Sequence, residues 1–347
     1  MSDETCKKLL VQTLKGVKRT RAPFWFMRQA GRYLPEYLEI RSQMGSFWDL
    51  VYSPEKASLV TLQPIERFGM DGAILFSDIL VIPEALGQKV TFKPGTGPVL
   101  EPLDFTAEHF GLLNDRGVEK TDSIFETVRR VKAGLDDKTA LIGFAGSPWT
   151  VATYMVEGKG TPEKTGTLKF ARENPARFQE LCDLIIATTV QYLLGQIEAG
   201  AEVLQLFDSW AGALKEEEEF YAWCINPTKK IIDQIRKEAP DIPLIGFAKG
   251  IGSFYKDYFR ETSLDAISID FDVDLEWAAK ELQPLGCLQG NLDPAFLVEG
   301  GDKMIAQAEK ILETLGGGAH VFNLGHGIVP ETPVENVAAL SRFLKSL

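Results

Sequence analysis

ALIGFAG, residues 140–146, is the stretch that decides the fold. All seven residues are apolar or glycine, so the run lacks the polar residue at every second position that a half-solvated strand would show. Such a run predicts a parallel strand that is buried on both faces. Polar or glycine-containing residues follow it at once, as expected where a strand gives way to a loop.

Seven other β-prone runs recur along the chain, with helical stretches between them. They are FWFM (24–27), GAILFSD (72–78), EVLQLFD (202–208), PLIGFAK (243–249), AISID (266–270), CLQGN (287–291) and HVFNLGH (320–326). Strand then helix, eight times, predicts a single α/β domain over residues 1–347, a (β/α)8 TIM-type barrel. We expect an N-terminal extension and a long insertion after the third strand. An open doubly wound sheet is the alternative, but the G-x-G-x-x-G turn typical of it is missing from the sequence.

Helix boundaries are indicated by capping residues. One helix is predicted to begin after Ser53, with Pro54 at its first position, and to end before Gly69. A long helix ends in the same way at Gly200, and the last helix of the chain is expected to use Thr332 as its cap.

The composition is that of an ordinary globular protein, with 45% hydrophobic and 25% charged residues and a net charge of -12. This acidic balance argues against nucleic-acid binding. The sequence shows no run of 18 apolar residues, and its start, MSDETCKKLL, is too polar for a secretory signal peptide. The four cysteines are scattered, which predicts reduced thiols in a cytoplasmic protein; they are Cys6, Cys182, Cys224 and Cys287.

The first 41 residues depart from this acidic character. They carry nine basic and four acidic side chains, a net charge of +5, so the rest of the chain carries -17. Arg28 and Arg32 follow the first apolar run in PFWFMRQAGRYLPEYLEIR (23–41), where Gly31 and Pro35 break any regular helix. Guanidinium groups on a loop suit bidentate binding of carboxylate or phosphate, which predicts a polyanionic small molecule as ligand.

Polar residues follow the predicted strands, where the active sites of α/β barrels lie. Asp78 is the strongest candidate, because a carboxylate flanked by apolar residues is costly unless a cation or a hydrogen-bond donor meets it. Asp270, Asn291 and Asp293 are also explained as turn formers or helix caps. The full set of strand-end candidates is Arg28, Asp78, Ser147, Asp208, Ser209, Lys249, Asp270, Asn291, Asp293 and His326.

Other motifs are weak. GKGTPEKTG (158–166) does not match a phosphate-binding P-loop, and EEEE (216–219) fits the first turn of a solvated helix. The three histidines form neither an H-E-x-x-H motif nor a cluster with cysteine, so we expect no metal site. A serine hydrolase is not indicated, since G-x-S-x-G is absent from the sequence.

With these residues in place, the chain resembles the uroporphyrinogen decarboxylase family over nearly its whole length. The most specific stretch is MRQAGRYLPEY (27–37). Further stretches follow in the family's order: GAILFSDILVIPEALG (72–87), LIGFAGSPWTVATYMVEG (141–158), GAEVLQLFDSWAG (200–212), FAKG (247–250), LQGNLDP (288–294) and NLGHG (323–327). Some members have histidine where Trp210 stands, so this position should tolerate change.

The resemblance implies a somewhat distorted barrel, a homodimer, and catalysis without a metal or an organic cofactor. It implies uroporphyrinogen III as substrate, whose four acetate side chains lose carbon dioxide to give coproporphyrinogen III in haem and chlorophyll biosynthesis. The basic segment then receives a substrate with eight carboxylates. Protonation of a pyrrole α-carbon makes an iminium-like electron sink, and Asp78 would stabilise this cation.

The resemblance also implies the site residues. Asp78 and Arg28 are expected to be catalytic. The expected substrate contacts are Arg28, Gln29, Ala30, Gly31, Arg32, Arg41, Phe47, Asp78, Tyr154, Ser209 and His326. The proton donor stays open, because arginine and tyrosine are both poor acids near neutral pH.

Three alternatives remain. Cobamide-dependent methyltransferases share this fold, but they bind zinc through a histidine–x–cysteine pattern that is missing from this sequence. Lys249, at the end of the fifth strand, could form a Schiff base as in barrel aldolases. A non-catalytic tetrapyrrole carrier would bind porphyrinogen without releasing carbon dioxide.

Overall fold

A computed structural model describes residues 8–93, 95–112, 121–160 and 164–347 of the chain. The strands are β1 Gly72–Ile74, β2 Val90–Lys93, β3 Gly97–Leu100, β4 Ala140–Gly146, β5 Val203–Asp208, β6 Leu244–Ala248, β7 Ala266–Ser268, β8 Cys287–Leu292 and β9 His320–Leu324. Seven of them form one parallel sheet in the order β1-β4-β5-β6-β7-β8-β9, and β2 pairs with β3 in an antiparallel hairpin. The predicted α/β fold of TIM type is confirmed.

The helices lie between the strands and cover the outside of the sheet. They are α1 Leu9–Leu14, α2 Pro35–Ser42, α3 Phe47–Val51, α4 Pro54–Phe68, α5 Val81–Ala85, α6 Asp122–Gly134, α7 Pro148–Glu157, α8 Thr165–Glu173, α9 Pro175–Ala199, α10 Glu217–Phe220, α11 Asn226–Glu238, α12 Tyr255–Thr262, α13 Leu275–Trp277, α14 Pro294–Glu299, α15 Gly301–Leu315 and α16 Val334–Ser346. The insertion expected after the third predicted strand is present, since α7, α8 and α9 separate β4 from β5. The β2–β3 hairpin, inserted between β1 and β4, was not predicted.

Most of the predicted helix boundaries are confirmed. The Ser53 side chain accepts a hydrogen bond from the Lys56 N–H at the start of α4, and Gly69 ends that helix at φ 62°. Gly200 follows the last residue of α9. The prediction for Thr332 was wrong: the N-cap of α16 is Pro333, and the Thr332 hydroxyl is buried without a hydrogen-bond partner among the described residues.

The predicted strand FWFM (24–27) is not a regular strand. Phe24 forms a single parallel bridge with Phe322 of β9, and on the other side its carbonyl accepts a hydrogen bond from the Asp71 N–H just before β1. Residues 23–25 therefore occupy the eighth position of the barrel, between β9 and β1. We call residues 23–25 the closing segment.

Side-chain acceptors explain why the ladder stops there. The Met27 N–H donates to Asn323 Oδ1 at 3.0 Å, and the Phe26 N–H donates to Gln29 Oε1 at 3.4 Å. Two backbone donors are thus satisfied by side chains and not by the backbone carbonyls of a strand. Arg28 then adopts φ 60° and turns the chain into the loop that carries the arginines.

Asp71 ties the closing segment to β1. Its carboxylate accepts two hydrogen bonds from the Arg21 guanidinium, at 2.8 and 2.9 Å, and a third from the Phe24 N–H at 2.9 Å. Such a bidentate, largely buried ion pair is among the stronger polar interactions in proteins. It holds the segment that precedes Arg28.

Asp71→Asn is expected to lower the free energy of unfolding by on the order of 2 kcal/mol, because one carboxylate oxygen that accepts these bonds becomes an NH2 group facing donors. Urea unfolding followed by circular dichroism measures this loss. Asp241→Asn, which makes the same change on the exposed surface, serves as the control and should be neutral. Equal stability of the two variants would show that the hydrogen bonds of Asp71 to Arg21 and Phe24 do not stabilise the fold.

The barrel interior holds a polar layer that the sequence did not predict. The Gln289 side chain donates to Gln205 Oε1 at 3.0 Å and to Ser268 Oγ at 2.8 Å. The Trp25 indole donates to Gln289 Oε1 at 2.9 Å. Side chains from β5, β7, β8 and the closing segment are thereby linked across the core, which fixes the register of the strands beneath the active-site end.

Candidate active site

The carboxyl ends of the strands define one open end of the barrel, which we call the mouth. Around its ring stand the closing segment and then β1, β4, β5, β6, β7, β8 and β9. The candidates at these ends, in the same order, are Arg28, Asp78, Ser147, Ser209, Lys249, Asp270, Asn291 and His326, of which Asn291 is the second-last residue of β8 and the others follow their strands. The sequence placed these candidates at strand ends, and the structure brings them to one end of the barrel.

Arg28 reaches the mouth across Gly327. A Cβ atom at Gly327 would lie 2.4 Å from Arg28 Cδ and 2.6 Å from Arg28 Cγ, so the arginine stem occupies the space that any side chain there would need. The Ile328 N–H donates to the Met27 carbonyl at 2.9 Å and joins the two loops. The NLGHG turn thereby fixes the path of Arg28, whose side chain is exposed.

Asp78 lies in the turn after β1. Its Oδ1 accepts a hydrogen bond from the Leu80 N–H at 2.8 Å, whereas Oδ2 accepts none from the described residues. Burial raises the pKa of Asp78 to about 6, against the opposing effects of the Leu80 N–H and the Arg28 charge. The carboxylate is therefore ionised at neutral pH, and one of its oxygens is available to a ligand.

Tyr154, on α7, lies within electrostatic reach of both groups. Burial and then the Asp78 charge raise the pKa of Tyr154 to about 12, while the Arg28 charge lowers it. The Tyr154 ring stacks on Trp210 with the ring centroids 4.1 Å apart. At neutral pH the hydroxyl keeps its proton and acts as a hydrogen-bond donor.

His326 is within electrostatic reach of two cations. Burial and, to a smaller extent, the charges of Lys249 and Arg28 together lower the pKa of His326 to about 4. Its ring lies beside Phe247, with the centroids 6.5 Å apart. The imidazole is therefore neutral at pH 7, a hydrogen-bonding group rather than a general acid.

The remaining predicted contacts sit around the rim. Arg32 is exposed, and Arg41 donates to the Met44 carbonyl at 3.2 Å. The Phe47 ring packs on Phe92 at 4.4 Å and on Phe76 at 5.9 Å, two residues before Asp78. Ala30, Gly31 and Ser209 are partly exposed beside these groups.

Gln29 differs from its neighbours because its side chain points into the protein. It is fully buried, donates to the Gly72 carbonyl at 3.2 Å and accepts from the Phe26 N–H at 3.4 Å. Its own carbonyl accepts from the Tyr33 hydroxyl at 2.8 Å. The side chain thus supports the arginine loop from beneath, and a substrate contact at Gln29 stays a prediction.

Two strand-end carboxylates hold loops in place. Asp208 is buried and accepts a hydrogen bond from the Thr150 hydroxyl, whose oxygen in turn accepts from the Trp210 N–H at 3.1 Å. Burial raises the pKa of Asp208 to about 6. Asp270 accepts from the Gly250 N–H at 2.7 Å and from the Tyr255 hydroxyl at 2.9 Å.

Asn291, Asp293 and Ser147 also have structural surroundings. Asn291 donates to the Asp270 carbonyl at 2.9 Å, and Asp293 caps α14 by accepting from the Ala295 N–H at 2.8 Å, as its alternative explanation predicted. Ser147 precedes α7, and its hydroxyl is buried without a partner in the described structure.

One group beside the site was missed by the sequence analysis. The Lys164 ammonium lies 4.1 Å from the centre of the Trp210 ring, whose indole also stacks on Tyr154. Lys164 belongs to the stretch dismissed as a failed phosphate loop. A cation–π contact between residues 46 positions apart leaves no signal in the local sequence.

The fold and the mouth define a TIM-type α/β barrel whose candidate active site lies at the carboxyl ends of its strands. Within that class the chain belongs to the uroporphyrinogen decarboxylase family, whose model, described as Uroporphyrinogen decarboxylase (URO-D), matches residues 5–347. The resemblance stated from the sequence is confirmed.

Curated relatives agree with the family model. A protein of Rhodospirillum rubrum named uroporphyrinogen decarboxylase is 49% identical over 340 residues, which cover 98% of this chain and 97% of the relative. One of the same name from Mesorhizobium japonicum is 49% identical over 339 residues, covering 98% of both chains. Another, from Erythrobacter litoralis, is 50% identical over 332 residues, covering 96% of both chains.

Among solved structures, a methyltransferase from Methanosarcina mazei superimposes with a TM-score of 0.80 over 99% of this chain and 98% of its own, at 20% identity. This likeness shows a shared fold and does not bear on the reaction. Within the described residues, no three histidine, cysteine, aspartate or glutamate side chains are grouped to hold a metal ion. None of the described helices is long and apolar enough to cross a membrane.

Proposed function

We propose that the chain catalyses decarboxylation of uroporphyrinogen III, converting its four acetate side chains to methyl groups and releasing carbon dioxide. The observation that carries this proposal is a recessed carboxylate, Asp78, in a mouth that also holds cations. Elsewhere in the described structure arginines such as Arg21 and Arg67 are paired with carboxylates, whereas Arg28 and Lys249 form no ion pair with any described residue. Cations left without a carboxylate partner suit a substrate that brings its own.

Asp78 serves the reaction through its free oxygen. The Leu80 N–H already holds Oδ1, so Oδ2 is left to accept hydrogen bonds from pyrrole N–H groups. Protonation of a pyrrole α-carbon gives a cation, which the ionised carboxylate stabilises in a recess of low dielectric. Cleavage of the bond to the carboxylate carbon then sends its electron pair toward the ring and leaves an exocyclic methylene. A proton added to that carbon gives the methyl group, and loss of the proton from the α-carbon restores the aromatic pyrrole.

The proton source is argued from the pKa values in the mouth. Tyr154, with a pKa of about 12, is a weaker acid than free tyrosine, and His326, with a pKa of about 4, carries no acidic proton at pH 7. A substrate carboxyl group or a water molecule is therefore the better donor. Arg28 is proposed to hold the reacting carboxylate, and Arg32, Arg41, Ser209 and the backbone of residues 29–31 the other side chains of the substrate.

We also propose a single domain over residues 1–347 that acts as a homodimer in the cytoplasm and needs no added cofactor. Cys182, Cys224 and Cys287 are free buried thiols, which is compatible with a reducing compartment.

Anaerobic incubation of the purified protein with uroporphyrinogen III and a metal chelator tests the proposal. The products are oxidised and separated by carboxyl number. We expect porphyrins with seven, six, five and four carboxyl groups to appear in turn. If folded protein binds the substrate but leaves only eight-carboxyl material, the chain is a carrier and the proposal is wrong.

A further inference from the structure

Lys249 is the cation of the mouth that the proposed function leaves unassigned. It follows β6, and the closing segment that leads to Arg28 lies four positions away around the eight-position ring in either direction. Eight positions about 4.8 Å apart on strands tilted by about 36° make a ring about 15 Å across. Lys249 and Arg28 therefore start from diametrically opposite walls of the mouth.

The side chain of Lys249 is directed toward the barrel axis. Phe247 lies beside Phe207 in the β5–β6 register, and Phe207 is two residues beyond Gln205 of the interior polar layer. Residues two apart on a strand share a face, so Gln205, Phe207 and Phe247 all point inward. Lys249 stands in the turn directly after β6, two residues beyond Phe247, and its charge acts on His326, whose ring lies beside Phe247; it is thereby placed at the rim end of this inward row.

The backbone of Lys249 is held on both sides. Its N–H donates to the Asp208 carbonyl at 3.0 Å, and its carbonyl accepts from the Gly212 N–H at 2.9 Å. The next residue, Gly250, donates to Asp270 Oδ2 at 2.7 Å. The two buried carboxylate residues of the strand ends thus fix the base of Lys249, and only its side chain remains to adjust to a ligand.

Within the described residues, the Lys249 ammonium has no carboxylate partner. Its nearest aromatic neighbour is Phe271, with the ring centroid 5.7 Å away. Lys249 and Arg28 both act electrostatically on His326, so the two charges from opposite walls are within reach of the same imidazole. A ligand that carries carboxylates on opposite edges could bind Lys249 with one edge and Arg28 with the other.

We propose that Lys249 binds a carboxylate of the substrate on the edge opposite the one held by Arg28. This inference rests on the proposed function, because it takes a porphyrinogen with carboxylates around its whole rim as the ligand. Lys249 then acts as a binding and specificity-determining residue: it anchors the far edge of the macrocycle while Asp78 engages the pyrrole N–H groups. It forms no covalent bond to the substrate, which separates this role from that of an aldolase lysine.

The test compares Lys249→Met, Lys249→Arg and Lys215→Met with the unchanged protein on uroporphyrinogen III. Lys215→Met removes one positive charge from an exposed residue in the loop after β5 and so controls for general electrostatic attraction. We expect Lys249→Met to raise KM about tenfold or more, with kcat changed less than about threefold. Lys249→Arg should recover most of the affinity, and Lys215→Met should match the unchanged protein.

A second measurement tests whether the Lys249 ammonium lies near His326, and it does not depend on catalytic activity. The His326 imidazole is titrated by NMR, with its signal assigned by comparison with His326→Gln. Removing the Lys249 charge should move the pKa of His326 upward by about half a unit, whereas Lys215→Met should leave it in place.

The outcomes separate the two proposals. If the unchanged protein yields no product of lower carboxyl number, the proposed function fails. If it is active but a folded Lys249→Met variant keeps the original KM, Lys249 does not bind the substrate. Borohydride trapping of a substrate adduct on Lys249 would likewise overturn the non-covalent role.

Discussion

Asp78→Asn is expected to lower kcat by about 10²- to 10³-fold, the range seen when one preorganised electrostatic group is removed from a transition state. An amide oxygen can still accept a hydrogen bond at the Oδ2 position, but it brings no negative charge to the pyrrole cation. Single-turnover decarboxylation under anaerobic conditions measures the chemical step directly. Asp293→Asn, at the end of β8, is the matched control, because asparagine caps α14 as well as aspartate does.

The same substitution should not weaken the fold. The pKa of Asp78 is raised to about 6 in the folded protein, so the folded state binds more protons than the unfolded state between about pH 4 and pH 6. The stability contributed by this group therefore falls as pH rises through that window. At pH 8 the ionised form destabilises the fold by on the order of 2 kcal/mol, after allowance for its partial exposure.

Asp78→Asn removes that penalty, so its free energy of unfolding should equal or exceed that of the unchanged protein at pH 8. Near pH 4 the two should differ little. Urea unfolding at both pH values checks the sign. A variant that keeps its turnover would contradict the role of Asp78, and one destabilised equally at both pH values would contradict its buried, ionised state.

Arg28→Met is expected to reduce kcat/KM by about 10²- to 10³-fold, in the range found when one partner of a desolvated, hydrogen-bonded charge pair is removed. The substrate carboxylate would then enter the recess without its guanidinium partner. Arg28→Lys should recover only part of the loss, since an ammonium group cannot make the bidentate contact. Steady-state kinetics at fixed ionic strength measure both, and Arg342→Met, on the exposed face of α16, is the control.

Arg28 also predicts a shift in the pH profile. In the unchanged protein kcat/KM should fall below about pH 6, as Asp78 becomes protonated. The Arg28 charge lowers the pKa of Asp78, so its removal should move this acid limb to higher pH, whereas Arg28→Lys should leave the limb near its original place. If the acid side of the pH profile of kcat/KM is unchanged in Arg28→Met, the Arg28 charge does not affect the pKa of Asp78.

The sequence predicted those parts of the fold that depend on local pattern. The run at 140–146 coincides with β4 because a short, uninterrupted apolar stretch has to be buried on all sides, as a central strand of a parallel sheet is. The caps at Ser53 and Gly200 follow from chemistry within one helical turn. Asp78 could be identified as a candidate because a carboxylate among apolar residues is recognisable from the local sequence alone.

What the sequence did not predict depends on distant partners. FWFM has the composition of a strand, yet the side chain of Asn323, 296 positions further along the chain, accepts the hydrogen bond of the Met27 N–H. The inward turn of the Gln29 side chain and the contact of Lys164 with Trp210 likewise arise only after residues far apart in the chain meet. Such pairings have no local signature that a single sequence can reveal.

The closing segment has fewer contacts with its neighbours than the strands of the barrel have with theirs. Six joints of the ring have a strand on each side, whereas the closing segment is held on one side by a single bridge at Phe24 and on the other by the backbone and carboxylate of Asp71. This segment also leads directly into the loop that carries Arg28. The part of the ring with the fewest contacts is therefore the part that positions Arg28, the arginine proposed to be catalytic. Local unfolding of the closing segment would displace Arg28 and abolish the proposed activity, while most of the secondary structure stayed intact.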